Sequence, residues 1–383
     1  MAGRDAGKLP LIGAAGGRRG IALALATFAA SRVVQLAIVV WQLPEGGRGL
    51  RGTLLAWDAG WFLRVATEGY PHDYTLDANG AVVGNGLAFF PVFPMLIRGV
   101  AALGVSPPTA AIAVAWVAGA VAAVLVYLLG TSLYDRHAGF ALLVLFSTQP
   151  VSVVLSLAYS EGVFVALVAG MLLAAHRRFW LLAGGLGLCA ALARPTGAAA
   201  ALGLLVAAGM AWPDAGRAER IRSLVAAGVA LAGVPAYLLW VGLRVGDLGA
   251  WFKIQSAGWG TSFDHGSSVG RFVVDTLRGG EGWVPVSVAW LLITATVAAT
   301  VAVGRVWPPL TVYGLLALIL VLGQAGYYHS KPRLLVPVLL ILVPAAVAIG
   351  RQRPRTAALA LGAFAAFGLW YGAYLVAVWP YTI

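Results

Sequence analysis

Residues 109–131 have the sequence TAAIAVAWVAGAVAAVLVYLLGT, a run of 23 residues without a charged side chain. A helix needs about 20 apolar residues to cross the hydrocarbon core of a bilayer, so this run is long enough for one membrane span. Ten other runs have a similar character, which predicts an all-α, polytopic bundle of about eleven spans. The eleven runs lie at about 20–43, 109–131, 138–157, 159–175, 179–193, 196–212, 221–243, 285–304, 307–326, 333–350 and 355–378.

The composition excludes most other classes of protein. Of the 383 residues, 61% are apolar and 10% are charged, whereas soluble domains have roughly 45–50% and about 25%. Cys189 is the only cysteine, which excludes a disulfide scaffold. The net charge of +12 would suggest nucleic-acid binding in a soluble domain, but in a membrane protein it indicates cytoplasmic anchoring. We therefore expect membrane lipids, and no nucleic acid, as partners.

Some of these runs allow a second interpretation. The first run follows Arg18 and Arg19, as the apolar part of a signal peptide does. It continues through Arg32 to Trp41, however, which is too long for a cleaved segment and predicts a retained span. The short runs near Ser160 and Arg194 can also be broken or re-entrant helices.

The distribution of charge predicts the orientation. With a cytoplasmic N-terminus and eleven spans, the inside segments hold 14 basic and four acidic residues, and the outside segments hold 11 basic and 10 acidic residues. This excess of inside arginine and lysine agrees with the positive-inside rule. We expect a multi-pass membrane protein with its chemistry on the extracytoplasmic side.

Residues 1–383 are predicted to form one membrane domain with two long extracytoplasmic loops, at 44–108 and 245–284. The inside loops are short and basic. Three polar interruptions of the apolar runs also face outside in this threading: Tyr159–Glu161, Arg194–Thr196 and Tyr327–Arg333.

The first outer loop contains residues 55–70, LAWDAGWFLRVATEGY. At helical spacing Asp58, Trp61 and Phe62 share one face, which predicts a short amphipathic helix at the membrane surface. Arg64 and Glu68 are spaced for an ion pair one helical turn apart.

Asp58 falls in the first turn of this predicted helix, where the helix dipole favours a carboxylate. A carboxylate at the membrane interface, flanked by aromatic rings, can accept a proton from a sugar hydroxyl. The alternative is a helix N-cap without a catalytic role.

The remainder of the loop has two parts. Residues 87–98, LAFFPVFPMLIR, are too few to span and predict a second interfacial helix. The polar stretch 71–85 contains His72 and Asp73 without the spacing of metal ligands, so we expect a solvated loop and no metal site.

These motifs resemble a known family. Trp57–Tyr70, followed by Ala88–Pro94 (AFFPVFP), is similar to the signature of the PIG-V family, which contains the second mannosyltransferase of GPI-anchor assembly and related bacterial proteins within the GT-C superfamily. Ala158–Phe164 (AYSEGVF) resembles the family's Tyr-x-Glu-x-x-Phe segment, and Ala193–Gly197 (ARPTG) resembles its arginine-containing turn.

The resemblance implies a polytopic glycosyltransferase that takes sugar from a polyprenyl phosphate and uses the loop aspartate, Asp58, in catalysis. It covers most of the chain. Residues 246–283, in the second outer loop, contain no motif that aligns with the family.

Glu161 and Arg194 interrupt apolar runs on the outer side. A carboxylate at such depth is costly, and it is usually functional or paired, so we expect Glu161 to be a second catalytic residue. The alternative is a structural partner for Arg194. Arg194 is an expected substrate ligand, with interfacial snorkelling as its alternative.

His329, Lys331 and Arg333 form a basic cluster at the predicted outer mouth of a span. Lysine and arginine are natural ligands of a lipid-borne phosphate, so all three are expected substrate ligands. The alternative is attraction to anionic headgroups.

Four other outer-loop residues complete the expected substrate site. Gln255 and Trp259 belong to an aromatic stretch of a kind found both at sugar-binding surfaces and in ordinary interfacial helices, and Glu68 and His72 lie in the first loop.

These features favour an inverting mannosyltransferase that uses polyprenyl-phosphate mannose, acts on a glycan or glycolipid acceptor, and has Asp58 as general base. Arg and Lys contacts can stabilise the phosphate leaving group, so we expect no cofactor and no obligatory metal. A lipid or solute carrier and a non-catalytic membrane assembly partner are the alternatives. The polar residues cluster at the outer edge, which disfavours a carrier.

The predicted orientation places Asp77 outside and Arg220 inside. Single cysteines introduced at these two positions should react with a membrane-impermeant thiol reagent from opposite sides of intact cells, with the unsubstituted chain as the control for Cys189. Labelling of both from the same side would contradict the eleven-span threading.

Overall fold

The computed structural model describes residues 17–280 and 282–381. The expected cytoplasmic residues Arg4, Asp5 and Lys8, and the outer-loop Glu281, lie outside the described residues. The helices are α1 (Arg18–Gln42), α2 (Gly49–Leu54), α3 (Asp58–Glu68), α4 (Val92–Ala101), α5 (Pro107–Leu133), α6 (Arg136–Thr148), α7 (Glu161–His176), α8 (Trp180–Ala191), α9 (Gly197–Ala211), α10 (Arg217–Val245), α11 (Ala250–Trp259), α12 (Ser267–Gly279), α13 (Trp283–Ala302), α14 (Pro308–Leu322), α15 (Lys331–Leu334), α16 (Val343–Gly350) and α17 (Pro354–Ala377).

Short elements complete the described chain. In the first outer loop, β1 (Thr75–Leu76) and β2 (Val82–Val83) form an antiparallel pair with Thr75 opposite Val83. Four turns of 3-10 helix lie at Gly86–Ala88, Ser152–Leu155, Tyr328–Ser330 and Leu339–Ile341.

Within the described residues, five helices are long and apolar enough to cross a membrane: α1, α5, α10, α13 and α17. A sixth span is possible if Tyr328–Leu334 and Leu339–Gly350, which meet at 82°, count as one broken span. The remaining predicted spans correspond to shorter helices, such as α7 with 16 residues and α8 with 12. An all-α membrane fold is thus confirmed with five or six candidate spans, and a count of eleven stays a prediction.

Two of the predicted spans are broken. The run 138–157 forms α6 only to Thr148, because Pro150 cannot continue the helix. The chain then continues through the Ser152–Leu155 turn to Glu161, where α7 begins. The run 333–350 is interrupted in the same way around Pro337. Both interruptions lead directly to residues of the candidate site.

Arg32 of α1 holds the first break in place. Its buried guanidinium donates to the carbonyl oxygens of Ser147 and Ser152, the latter at 2.6 Å, and to the Gln35 side chain at 2.6 Å. Ser147 lies in the last turn of α6 and Ser152 in the 3-10 turn that follows. The last carbonyls of a helix have no partner within it, and buried carbonyls need partners. Arg32 is therefore the cation that makes the break stable inside the bundle.

Replacing Arg32 with Met should lower the free energy of unfolding by at least about 2 kcal/mol, because two buried carbonyls would lose a charged donor. Thermal unfolding in detergent measures the change. Arg19→Met, at an exposed position of the same helix, is the matched control and should change stability little. Equal effects of the two substitutions would contradict the assigned role.

Candidate active site

Asp58 is the first residue of α3, immediately after Trp57. The alternative interpretation required Asp58 to be the N-cap residue of α3. Trp57 is the N-cap residue instead. The φ angle of Trp57 is +55°, in a region that costs energy for a residue with a Cβ atom. Strained backbone of this kind is concentrated at functional sites.

The Asp58 carboxylate forms an ion pair with Arg333. Asp58 Oδ2 lies 2.7 Å from Arg333 Nη2, and the two side chains are 22% and 11% exposed. Arg333 is on α15, which ends just before the break around Pro337. This pair joins the long loop 44–108 to the basic segment around Arg333, for which the sequence predicts phosphate binding.

A second ion pair lies beside the first. Glu161 Oε1 is 2.9 Å from Arg194 Nη1 and 3.7 Å from Arg333 Nε. Glu161 is almost fully buried, with 2% of its side chain exposed. Arg194 also donates to Ser160 Oγ at 3.1 Å. Glu161 is therefore an ion-pair partner of Arg194, as the alternative interpretation expected. This pair lies beside the pair of Asp58 and Arg333.

Tyr159 connects the two pairs. Its ring lies under the Arg333 guanidinium, 4.9 Å from ring centroid to Cζ, and its hydroxyl accepts the Asp58 backbone N–H at 3.4 Å. The next residue back, Ala158, donates its N–H to Leu54 O at 2.9 Å. The broken segment before α7 thus positions the start of α3. Tyr159 is not among the site residues predicted from the sequence, although it lies two residues before Glu161 in the AYSEGVF motif.

We define the charge cluster as Asp58, Glu161, Arg194 and Arg333. Two carboxylates and two guanidinium groups balance its charge, which removes the cost that an unpaired buried ion would have. Asp58 comes from the long loop 44–108, and the other three residues come from the three polar interruptions of the apolar runs. Asp58 is the more exposed of the two carboxylates and is the one better placed to meet a substrate hydroxyl.

Lys331 and His329 contact residues outside the charge cluster. The buried Lys331 ammonium donates to Val321 O at 2.8 Å and to Gln324 O at 2.6 Å, at the end of α14. Those bonds occupy two of its three donors, so the structure shows it as an anchor of the turn. The His329 ring packs against Phe272 and Trp379.

Glu68 and His72 also lie apart from the cluster. Glu68 is the exposed last residue of α3. The expected ion pair between Arg64 and Glu68 is not among the ion pairs of residues 17–280 and 282–381, because Arg64 lies over the Trp61 ring at 5.0 Å. A cation–π contact competes well with an exposed ion pair of this kind. His72 Nε2 is 3.4 Å from Arg244 Nη2.

Gln255 and Trp259, on α11, join the second outer loop to the first. Gln255 Nε2 donates to Ala88 O at 3.1 Å. The Trp259 ring meets Trp61 and Phe89 edge-on at 5.8 and 5.3 Å. The second loop, which contained no recognisable motif, therefore packs directly on the most specific motif of the first.

Two further contacts explain how closely the loops approach. Gly84 and Gly258 touch through their backbones, since a Cβ atom on Gly258 would lie 2.6 Å from Gly84 Cα. Tyr74 donates its hydroxyl to Asp247 Oδ2 at 2.6 Å. The Lys253 ammonium, with the Tyr74 hydroxyl, lowers the pKa of Asp247 to about 2, so this link between the loops keeps its charge across the physiological pH range.

Among the described residues, no three His, Cys, Asp or Glu side chains are grouped as metal ligands. Two adjacent pairs of such residues, His72 with Asp73 and Asp264 with His265, therefore have no third metal-ligating side chain beside them among the described residues. Asp264 instead accepts the backbone N–H groups of Gly266 and Ser268.

Comparison with known proteins gives a structural match only. No family model matches the chain, and no curated protein sequence matches it. The archaeal oligosaccharyltransferase AglB from Archaeoglobus fulgidus, in complex with an inhibitory peptide and a dolichol-phosphate, matches with a TM-score of 0.50 and 13% identity, over 91% of this chain and 56% of AglB. The Archaeoglobus fulgidus oligosaccharyltransferase in complex with Zn and sulfate matches with a TM-score of 0.45 and 15% identity, over 91% and 52%.

The chain thus spans about half the length of these proteins. The match to AglB shows that this chain shares its fold over most of the chain's length. The apolar helices and the fold together indicate a multi-pass membrane protein. Membership in the PIG-V family stays a prediction.

A double-mutant cycle measures the strength of the Asp58–Arg333 pair. Asp58→Asn and Arg333→Gln, singly and together, should show a coupling of about 1–3 kcal/mol in the free energy of unfolding, because the pair is largely buried. The exposed Arg178–Asp214 pair, at 3.8 Å and with 44% and 80% exposure, is the control, with an expected coupling of about 0–1 kcal/mol. Equal couplings would contradict the assigned geometry.

Proposed function

We propose that the protein is a membrane glycosyltransferase that transfers a sugar, most simply mannose, from a polyprenyl phosphate to a glycan or glycolipid acceptor. The observation that carries the proposal is the Asp58–Arg333 ion pair at 2.7 Å. It combines a partly exposed carboxylate with a phosphate-binding side chain in a fold of the GT-C kind. The likeness to AglB, whose structure contains a dolichol-phosphate, is consistent with a lipid-linked donor.

In this mechanism the donor phosphate and Asp58 compete for one guanidinium. Arg333 binds carboxylates and phosphates with the same fork of donors. When the phosphate of the donor engages Arg333, Asp58 gives up part of its ion pair, and its oxygen becomes available as a base. Substrate binding would in this way create the base that the reaction needs.

The transfer step follows from these roles. Asp58 accepts the proton of the acceptor hydroxyl as that oxygen forms a bond to the anomeric carbon. The bond between the anomeric carbon and the phosphate oxygen breaks on the opposite face, so the configuration inverts. The polyprenyl phosphate leaves with the electron pair, and Arg333 stabilises its charge. Glu161 holds Arg194 and faces Arg333, so we assign it to positioning the two cations, and it is the next candidate for the base.

The proposal includes the finer features expected from the sequence. The reaction takes place on the extracytoplasmic side of a bacterial cell membrane, in a bundle of about eleven spans. It needs no cofactor, because arginine contacts serve the phosphate. The resemblance to the PIG-V family supports mannose as the sugar.

A carrier and a non-catalytic assembly partner are distinguished from the enzyme by one assay. Membranes of cells that express the protein are incubated with labelled polyprenyl-phosphate mannose. Transfer of label to a lipid or glycan acceptor supports the enzyme. Movement of the donor across the membrane without transfer indicates a carrier, and the absence of both indicates an assembly partner.

Asp58→Asn removes the basicity of the side chain and keeps its shape. Turnover should fall by about 10²–10⁴-fold, the usual contribution of a positioned base, while donor binding stays the same or tightens because Arg333 loses a competitor. Asp77→Asn, in the same outer loop, is the matched control and should transfer sugar normally. Normal transfer by a folded Asp58→Asn protein would contradict the assignment.

Arg333→Ala tests the phosphate contact. A hydrogen bond to a charged group contributes roughly 1.5–3 kcal/mol, so the KM for the lipid donor should rise by about tenfold or more. Initial rates over a range of donor concentrations measure it, with Arg271→Ala, an exposed residue of the second loop, as control. An unchanged KM would move the phosphate site, with Arg194 as the next candidate.

A further inference from the structure

Tyr159 touches both partners of the Asp58–Arg333 pair without taking part in the transfer step described above. Only 1% of the residue is exposed, and its side chain is among the largest that are fully buried in the described part of the chain. Close packing holds a buried ring in one rotamer. The hydroxyl and the ring of Tyr159 are therefore two fixed points inside the charge cluster.

The hydroxyl end holds the first residue of α3. Tyr159 Oη accepts the backbone N–H of Asp58 at 3.4 Å. The first N–H groups of an α-helix have no partner within the helix. An indole can only donate, so Trp57 at the N-cap cannot accept from them. The Tyr159 hydroxyl thus fixes the backbone from which the Asp58 carboxylate projects.

The ring end holds Arg333. The Arg333 Cζ lies over the Tyr159 ring, 4.9 Å from its centroid, while Nη2 is 2.7 Å from Asp58 Oδ2. A cation–π contact is made by the guanidinium as a whole and uses up none of its N–H donors. This contact can therefore persist when a phosphate takes the place of the Asp58 carboxylate.

The segment that carries Tyr159 is anchored independently of the charged residues. The Ala158 N–H donates to Leu54 O at 2.9 Å. Trp116 of α5 donates its indole N–H to Ser156 O, also at 2.9 Å. Because these bonds involve no member of the charge cluster, Tyr159 keeps its place when the Asp58 carboxylate moves.

We propose that Tyr159 is a positioning residue for sugar transfer. Its hydroxyl sets the place of Asp58 relative to the acceptor, and its ring holds the Arg333 guanidinium while the donor phosphate replaces Asp58. This inference rests on the proposed function, which assigns the base to Asp58 and the phosphate to Arg333. The two ends of one phenol side chain thus serve the two substrates separately.

Separate roles predict separate kinetic effects, measured as initial rates with labelled polyprenyl-phosphate mannose and membranes that contain the full-length protein. Tyr159→Phe removes the hydroxyl and keeps the ring, so kcat should fall about fivefold, the value of one hydrogen bond, with the donor KM unchanged. Tyr159→Leu removes the ring as well. Its kcat should fall at least as far, and its donor KM should rise about tenfold through loss of the cation–π contact.

Tyr371 of α17 provides the matched control. It is also fully buried, its hydroxyl shares a hydrogen bond with Ser287 at 2.7 Å, and its ring stacks on Phe367 at 5.4 Å. Tyr371→Phe and Tyr371→Leu should lower the thermal unfolding temperature as the Tyr159 variants do, but should leave kcat and the donor KM unchanged. Rates are normalised to the amount of folded protein.

The results decide between positioning and mere packing. If the Tyr159 variants lose thermal stability but keep the kcat and KM of the unsubstituted protein, the inference is wrong and the proposed function stands. If Tyr159→Phe raises the donor KM and leaves kcat unchanged, the assignment of the hydroxyl to Asp58 is wrong. If the unsubstituted protein transfers no sugar, the proposed function and the inference both fail. Tyr159→Phe retains the ring and its packing, so its kcat decides the inference even if Tyr159→Leu does not fold.

Discussion

The site depends on one guanidinium group that has two carboxylate neighbours. Arg333 pairs with Asp58 at 2.7 Å and lies 3.7 Å from Glu161, which in turn pairs with Arg194. Acidic and basic groups at this depth are stable only as a neutral set. These groups lie on α3, α7, α15 and the turn before α9. The four elements must therefore meet at one place.

This requirement explains the broken helices. Two apolar runs are interrupted at proline residues, and a member of the charge cluster lies next to each interruption: Glu161 after the first and Arg333 just before the second. Non-helical backbone inside an apolar bundle needs donors for its carbonyls. Arg32 supplies them at the first break, and Lys331 supplies them beside the second. The cations outside the cluster thus keep the backbone in the shape that the cluster needs.

Much of this arrangement was predictable from the sequence. The apolar runs predicted an all-α membrane bundle, and the polar interruptions pointed to Asp58, Glu161, Arg194 and Arg333, which the fold brings together. The number of spans stays a prediction: within the described residues five or six helices are long and apolar enough to span, and breaks at Pro150 and Pro337 divide two of the predicted runs. For Lys331 the sequence showed the charge but not the carbonyls that its ammonium binds, and its role as a substrate ligand stays a prediction. Tyr159 was missed because aromatic residues are common in such chains and become distinctive only through their neighbours.

The central claim, that donor phosphate and Asp58 share Arg333, is tested most directly by a cryo-electron microscopy structure of the protein with a bound polyprenyl phosphate. The account predicts phosphate oxygens within hydrogen-bond distance of the Arg333 guanidinium and an Asp58 carboxylate that has moved away from it. A phosphate bound elsewhere, with the Asp58–Arg333 pair intact at 2.7 Å, would contradict it.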